Sequence, residues 1–170
     1  MRSAILELSG SFAEIIGYAF DATDNYVSDA DHESLPSEGI MHLPSSLADL
    51  YGEIGEVSLP DVYNGYFIHP FDVLMRSGAT GVPTRVESNI QAHVLTFGSD
   101  GGGGLFCLSK SDGVVYYLPT GLIEEGTYRG GMGSVSQVAP DLITFLFLLL
   151  DQVKEFALTG GVIPAFAAIS

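Results

Sequence analysis

Apolar residues recur along this chain with two different periods, and each period predicts a different kind of element. In SFAEIIGYAF, Phe12, Ile15, Ile16 and Ala19 stand at helical spacing. Ser11, with Glu14 three residues on, has the form of a capping box, so a short amphipathic helix is predicted here. A second helix is predicted in LPSSLADLYGEIGE, where Leu47, Leu50, Tyr51 and Ile54 line one face. Pro44 suits its first turn, where a missing N–H costs nothing, and Gly55 offers a stop. EVSLPDVYNGYFIHPF then mixes β-branched and aromatic residues around Asn64-Gly65, the pattern of a strand or hairpin. PFDVLMRS fits one helical turn from Pro70, and Ser77 to Asn89 reads as a loop.

The middle of the chain switches to strand and turn. Ala92 to Gly98, Leu105 to Ser109 and Val114 to Leu118 are apolar runs of strand length. Ser111-Asp112-Gly113 joins the last two as a hairpin, with Gly113 free to take a positive φ. Ser99-Asp100 and four glycines, Gly101 to Gly104, join the first two. A fourth strand is expected in GTYRGG. A final helix starts near Pro140 and runs through DLITFLFLLLDQVKEF, apolar nearly all round. It is expected to be the main core helix, with Leu148 among its buried side chains. The apolar tail, about residues 158–170, is suited to an edge strand, to docking on the domain, or to an oligomer contact. Helices, an antiparallel meander and a closing helix make an α+β fold, a single domain over residues 1–170.

Charge changes this picture most. The chain holds 21 acidic against 6 basic residues, a formal charge of −15. From Ser3 to Met75 there are thirteen acids and no Lys or Arg, so that half carries −12 once Arg2 is counted. Such a field repels nucleic acid and anionic membranes and speeds encounter with a basic partner; it equally suits a merely soluble acidic protein. The stretch from about 21 to 42 is acidic and poor in large apolar residues, a partner-facing insertion or a solvated loop. The longest apolar run, Leu142 to Leu150, is nine residues, well short of a membrane helix. Glu7 interrupts the N-terminal apolar stretch, so no signal peptide is expected. With one cysteine, Cys107, a cytoplasmic location is the expectation.

Candidate chemistry is sparse. The glycine run is no phosphate loop, because Leu105, Phe106 and Cys107 follow it and open a strand rather than a Lys-Ser/Thr helix. His32, His42, His69 and His93 show no zinc spacing. Asp29, Asp31 and Glu33 alternate like calcium ligands, but Ser34 and Ile40 stand where that loop needs Gly and Glu. Ser134 lacks nucleophile-elbow framing, and Cys107 reads as a small core residue. Neither a metal, a cofactor nor a catalytic set is expected. A small hydrolase remains open only if distant acids and histidines converge.

The order of elements nonetheless has a family likeness. An LP-helix, a short turn after YFIHPFDVL, then VLTFGSDGGGGLFCLSKSDGVVYYL and a terminal helix resemble the SUKH superfamily. Its core reads strand, G-x-D-G-G-G, strand, D-x-x-G-x-V-Y, strand; Gly98, Asp100, Gly101, Gly102, Gly104, Gly113, Val115 and Tyr116 fall on that pattern. The likeness spans roughly 5–156, its specific part about 94–118. The chain departs from it at Ile54-Gly55-Glu56, where members often have Asn-Gly-Gly, and in the long acidic stretch. The resemblance implies a non-catalytic immunity protein that binds a cognate toxin domain, often a nuclease. A regulatory scaffold with another partner is the alternative. It also places the glycine turn in the sheet's central hairpin, with Asp100 capping backbone N–H groups or else contacting the toxin. Candidate contacts are Asp49, Glu53, Glu56 and Asp61 near the LP-helix, and Glu124, Glu125 and Tyr128 after the hairpin.

Overall fold

The computed structural model describes residues 1–3, 5, 13, 17, 21, 23–31, 42–76 and 82–167. Of the helix predicted over 11–20, all but residues 13 and 17 lie outside them. In chain order the described elements are β1 (Tyr26–Asp29), α1 (Ser45–Glu53), β2 (Ile54–Leu59), β3 (Tyr66–Ile68), α2 (Phe71–Met75), β4 (Arg85–Glu87) and β5 (Gln91–Asp100). They continue with β6 (Leu105–Ser109), β7 (Val115–Leu118), β8 (Gly121–Glu124), β9 (Thr127–Gly131), β10 (Ser136–Ala139), α3 (Leu142–Thr159) and α4 (Pro164–Ala167). The fold is α+β.

The long strand β5 belongs to two sheets. Along one edge it pairs with β6; along the other it pairs with β3 at Gly98 to Asp100 and with β4 at Gln91 to His93. The main sheet runs antiparallel in the order β1-β2-β3-β5-β6-β7-β10. The smaller one runs β5-β4-β9-β8, and within it β4 and β9 are parallel. The central strands are therefore covered on both faces and read as continuous apolar runs rather than alternating ones. Phe106 and Leu108 of β6 enter the large core under the helices, while Cys107 between them enters a second core with Val86, Val94, Leu118, Tyr128 and Val135.

Helix α3 closes the large core. Its Phe145 meets Phe97 edge-on at 5.3 Å and Phe106 at 5.0 Å between ring centroids. Asp141 caps it by accepting from the Thr144 N–H at 2.7 Å, and Gly160 ends it in the left-handed region. The buried Gln152 bonds the Gly161 carbonyl at 3.1 Å and the Ile163 N–H at 2.9 Å, which holds the tail in place. Of the three roles open to that tail, docking is observed: α4 seals the core with fully buried Phe166.

Several expectations are corrected. The acidic stretch contains β1, a short strand recruited by the open edge of β2. Gly55 does not stop α1; the chain passes straight into β2, and Gly55 leaves room for the Ser28 side chain and the Asp29 carbonyl. The loop expected over 77–89 holds β4, and the hairpin around Asn64-Gly65 closes through a longer loop after Leu59. Strands β8 and β10 lack any apolar run long enough to announce them. Helix α3 is not buried all round: Leu148 is half-buried, and Ile143, Phe147 and Leu158 are exposed. Among the described residues no helix is long and apolar enough to cross a membrane.

This packing separates two neighbouring side chains of α3. Leu149→Ala is expected to lower unfolding free energy by ~2–5 kcal/mol, as for deletion of a core side chain. Phe147→Ala is expected to cost far less, since it projects outward. Urea titration of both variants measures the difference, and equal losses would contradict the assigned faces.

Candidate functional site

The glycine turn is organised by one carboxylate. Asp100, at the end of β5, is 8% exposed. Its Oδ1 accepts from the Gly102 and Gly104 N–H groups at 3.0 and 2.7 Å. Its Oδ2 accepts from the Tyr117 hydroxyl at 2.8 Å and the Asn64 amide at 3.4 Å. The capping role expected of Asp100 is what the structure has, and its burial argues against the partner contact. Gly103 alone in the run takes a positive φ, +84°; Gly104 is needed because a Cβ there would overlap the Tyr117 ring. Gly98 and Gly101 let the Phe67 and Asn64 carbonyls approach, and Gly113 takes φ +74° in the next turn as expected.

The other candidates fall at two separated places. Asp49 and Glu53 are exposed on α1, beside the β1–β2 edge. Glu56 and Asp61 lie nearby, but each also has a structural partner. The Tyr26 hydroxyl donates to Glu56 at 2.6 Å, and buried Asn25 donates to Asp61 at 2.7 Å. Asp29, exposed on β1, joins this acidic surface and pairs with Arg2. Glu124 and Glu125 sit at the far end of the sheet order, Glu124 closing β8 and Glu125 in the β8–β9 turn. There Glu124 faces Arg129 at 3.6 Å, and Glu87 pairs with both Arg85 and Arg129, so charge is largely balanced. Tyr128 is corrected to a core residue: it is 1% exposed in the second cluster, and its hydroxyl donates to the Pro119 carbonyl.

One pair of side chains escaped the sequence pattern, and Cys107 takes the core place expected of it. Ser99 and His69 meet across β3 and β5, with Oγ and Nε2 at 2.8 Å. His69 Nδ1 is buried without a hydrogen-bond partner, so the pair lacks the third group that orients a catalytic histidine. Burial lowers the His69 pKa from its ordinary value, against the opposing pull of Glu56. No spacing signal joins His69, just past β3, to Ser99 on β5, 30 residues on; only the β3–β5 register does. Cys107 is fully buried against Thr96, and burial pushes its thiol up to about 12, as a core thiol rather than a nucleophile. Among the described residues, no group of three His, Cys, Asp or Glu side chains could hold a metal ion.

No protein-family model matches the chain, and no curated protein matches it significantly.

Two outcomes follow from this geometry. Gly104→Val is expected to destabilise the fold by ~1–3 kcal/mol or more, because overpacking must displace Tyr117 from Asp100. A thermal melt equal to that of the parent would contradict the packing. For His69, the unfolded chain takes up a proton as pH falls through about 6.5, before the folded chain does. Its contribution to stability is thus complete above that pH and lost as pH falls through and below it. His69→Gln should flatten the change in unfolding free energy between pH 7.5 and pH 5.5; an unchanged slope would show that His69 titrates freely in the fold.

Proposed function

We propose that this chain is a non-catalytic immunity protein of the SUKH type, acting in the cytoplasm by binding a basic toxin domain and occluding its active site. The observation that carries this reading is the one-sided charge: Asp29, Asp49 and Glu53 stand exposed around α1 and β1, with Glu56 and Asp61 beside them. At the other end of the sheet Glu87 and Glu124 are paired with arginines. A surface of that kind offers carboxylates where a nuclease would hold substrate phosphates, and complementary charge raises the rate of encounter. The central hairpin adds support. Asp100 and the glycines of the resemblance's first motif serve one turn, in which Asp100 binds the Gly102 and Gly104 N–H groups. The direct test is co-expression with the C-terminal domain of a toxin encoded immediately upstream; failure to protect the cell or to form a complex would overturn the reading.

Stopped-flow mixing with that toxin domain gives a sharper outcome. Replacing Asp49 and Glu53 together by Lys should slow association on the order of tenfold at low salt. Replacing Glu124 and Glu125 should slow it much less. The parent's on-rate should fall as ionic strength rises to physiological values, where the Debye length is ~8 Å, while dissociation changes little. An on-rate indifferent to salt and to both double variants would mean that the acidity serves solubility alone.

A further inference from the structure

Next to the acidic surface lies a groove of about 320 Å³ whose lining side chains are all apolar, among them Val27, Leu50, Ile54, Ile143, Phe147 and Leu150. It runs between α1, α3 and the β1–β2 edge. Ile143 and Phe147 are 63% and 62% exposed, and with Leu150 they form a stripe at i, i+4 and i+7 along α3. Ile143 and Phe147 point away from the face that builds the core, which uses Leu142, Phe145, Leu149, Val153 and Phe156, and half-buried Leu150 packs against that core at the stripe's margin. Contiguous exposed apolar surface of this kind on a strongly charged protein marks an interaction site.

The rim specifies what fits. Asp49 and Glu53 of α1 neighbour Leu50 and Ile54, the latter the first residue of β2, Asp151 follows Leu150 on α3, and Asp29 lies two residues beyond Val27; all four are exposed. Against them stand Arg2, already paired with Asp29, and Lys154. A second copy of the chain would bring one acidic rim against another. The segment from Ser3 to Phe20 carries Glu7 and Glu14 and no base, so it also fits the rim poorly. The complementary shape is a helix with an apolar stripe flanked by Lys and Arg, the helix-in-groove mode of recognition.

We infer that this groove seats an amphipathic, basic helix of the partner protein, its apolar side chains against Phe147 and Ile143 and its cations against Asp49, Glu53 and Asp151. The inference rests on the protein-binding reading above and names the form of the bound segment. The probe is a fluorescein-labelled synthetic peptide of about 16 residues, roughly 24 Å as a helix, with Leu at i, i+3, i+4 and i+7 and Lys elsewhere. A scrambled peptide of equal composition is the control, and anisotropy is read at physiological salt with the full chain. The amphipathic peptide should bind on the order of tenfold more tightly than the scrambled one, and Phe147→Asp should abolish that margin. Ile143→Asp should act in the same direction, and both variants should melt like the parent because their side chains are exposed. Equal binding of the two peptides would overturn the inference, leaving charge alone. So would an affinity unchanged in Phe147→Asp, or a parent dimer in light scattering that Phe147→Asp disperses. The immunity reading is separable: a toxin domain bound equally by parent and Phe147→Asp defeats the groove alone. Peptide recognition without any toxin complex defeats the immunity reading alone.

Discussion

Everything in the centre of this fold is referred to the Asp100 carboxylate. It is nearly buried, and a buried carboxylate is tolerated only where donors replace the water it has lost. Here four groups converge on it from three segments: the glycine turn, Tyr117 on β7 and Asn64 in the loop before β3. Hydrogen bonds to a charged acceptor are the stronger kind, so the turn, the far strand and the neighbouring loop are held in one register. The cost appears on Tyr117, whose hydroxyl pKa is raised by burial and by its bond to Asp100.

With that register set, β5 can serve two sheets at once. Its C-terminal part sits between β3 and β6, and its N-terminal part carries β4 and, through it, β9 and β8. The irregularity between Thr96 and Gly98 in the pairing with β6 falls between these two parts. Splitting the partners of one strand creates two cores on opposite faces, one under α1, α3 and α4 and one under the small sheet. Polar groups inside are matched in turn: Thr96 bonds the Pro83 carbonyl, and Gln152 ties the tail. His69 Nδ1 is the unmatched side-chain atom among the described residues.

The same topology sorts charge along the sheet. The first part of the chain, which carries −12 of the net −15, builds the β1–β2 end and α1. The arginines of β4 and β9 neutralise the other end. In the proposed binding of a basic, amphipathic partner, the acidic face would govern encounter and the exposed apolar stripe residence. The reciprocal bonds of Asn25 with Asp61, and the bond that the Tyr26 hydroxyl donates to Glu56, fix β1 against the rest and give that face a defined backbone.

What local pattern decides was readable in the residues. The α1 face of Leu47, Leu50 and Tyr51, the turn at Pro70, the strands around the glycine run, and the Asp100 cap all follow from spacing and turn chemistry within a few positions. So did the α+β class, because long apolar periods survive any tertiary context. Short strands were another matter. Tyr26 to Asp29 and Arg85 to Glu87 become strands because an edge is waiting for them, not because of their own composition. The site divided in the same way. That Asp49 and Glu53 share a helix flank is a matter of spacing, whereas Tyr128 looked available and is buried only because a second sheet folds over it. The chain by itself determined its longer elements, its charge asymmetry and its central turn, since these are set by neighbours in sequence. The tertiary structure decided which face of α3 stays uncovered, which acids are paired and which aromatic is core, since each depends on strands brought together from distant parts of the chain.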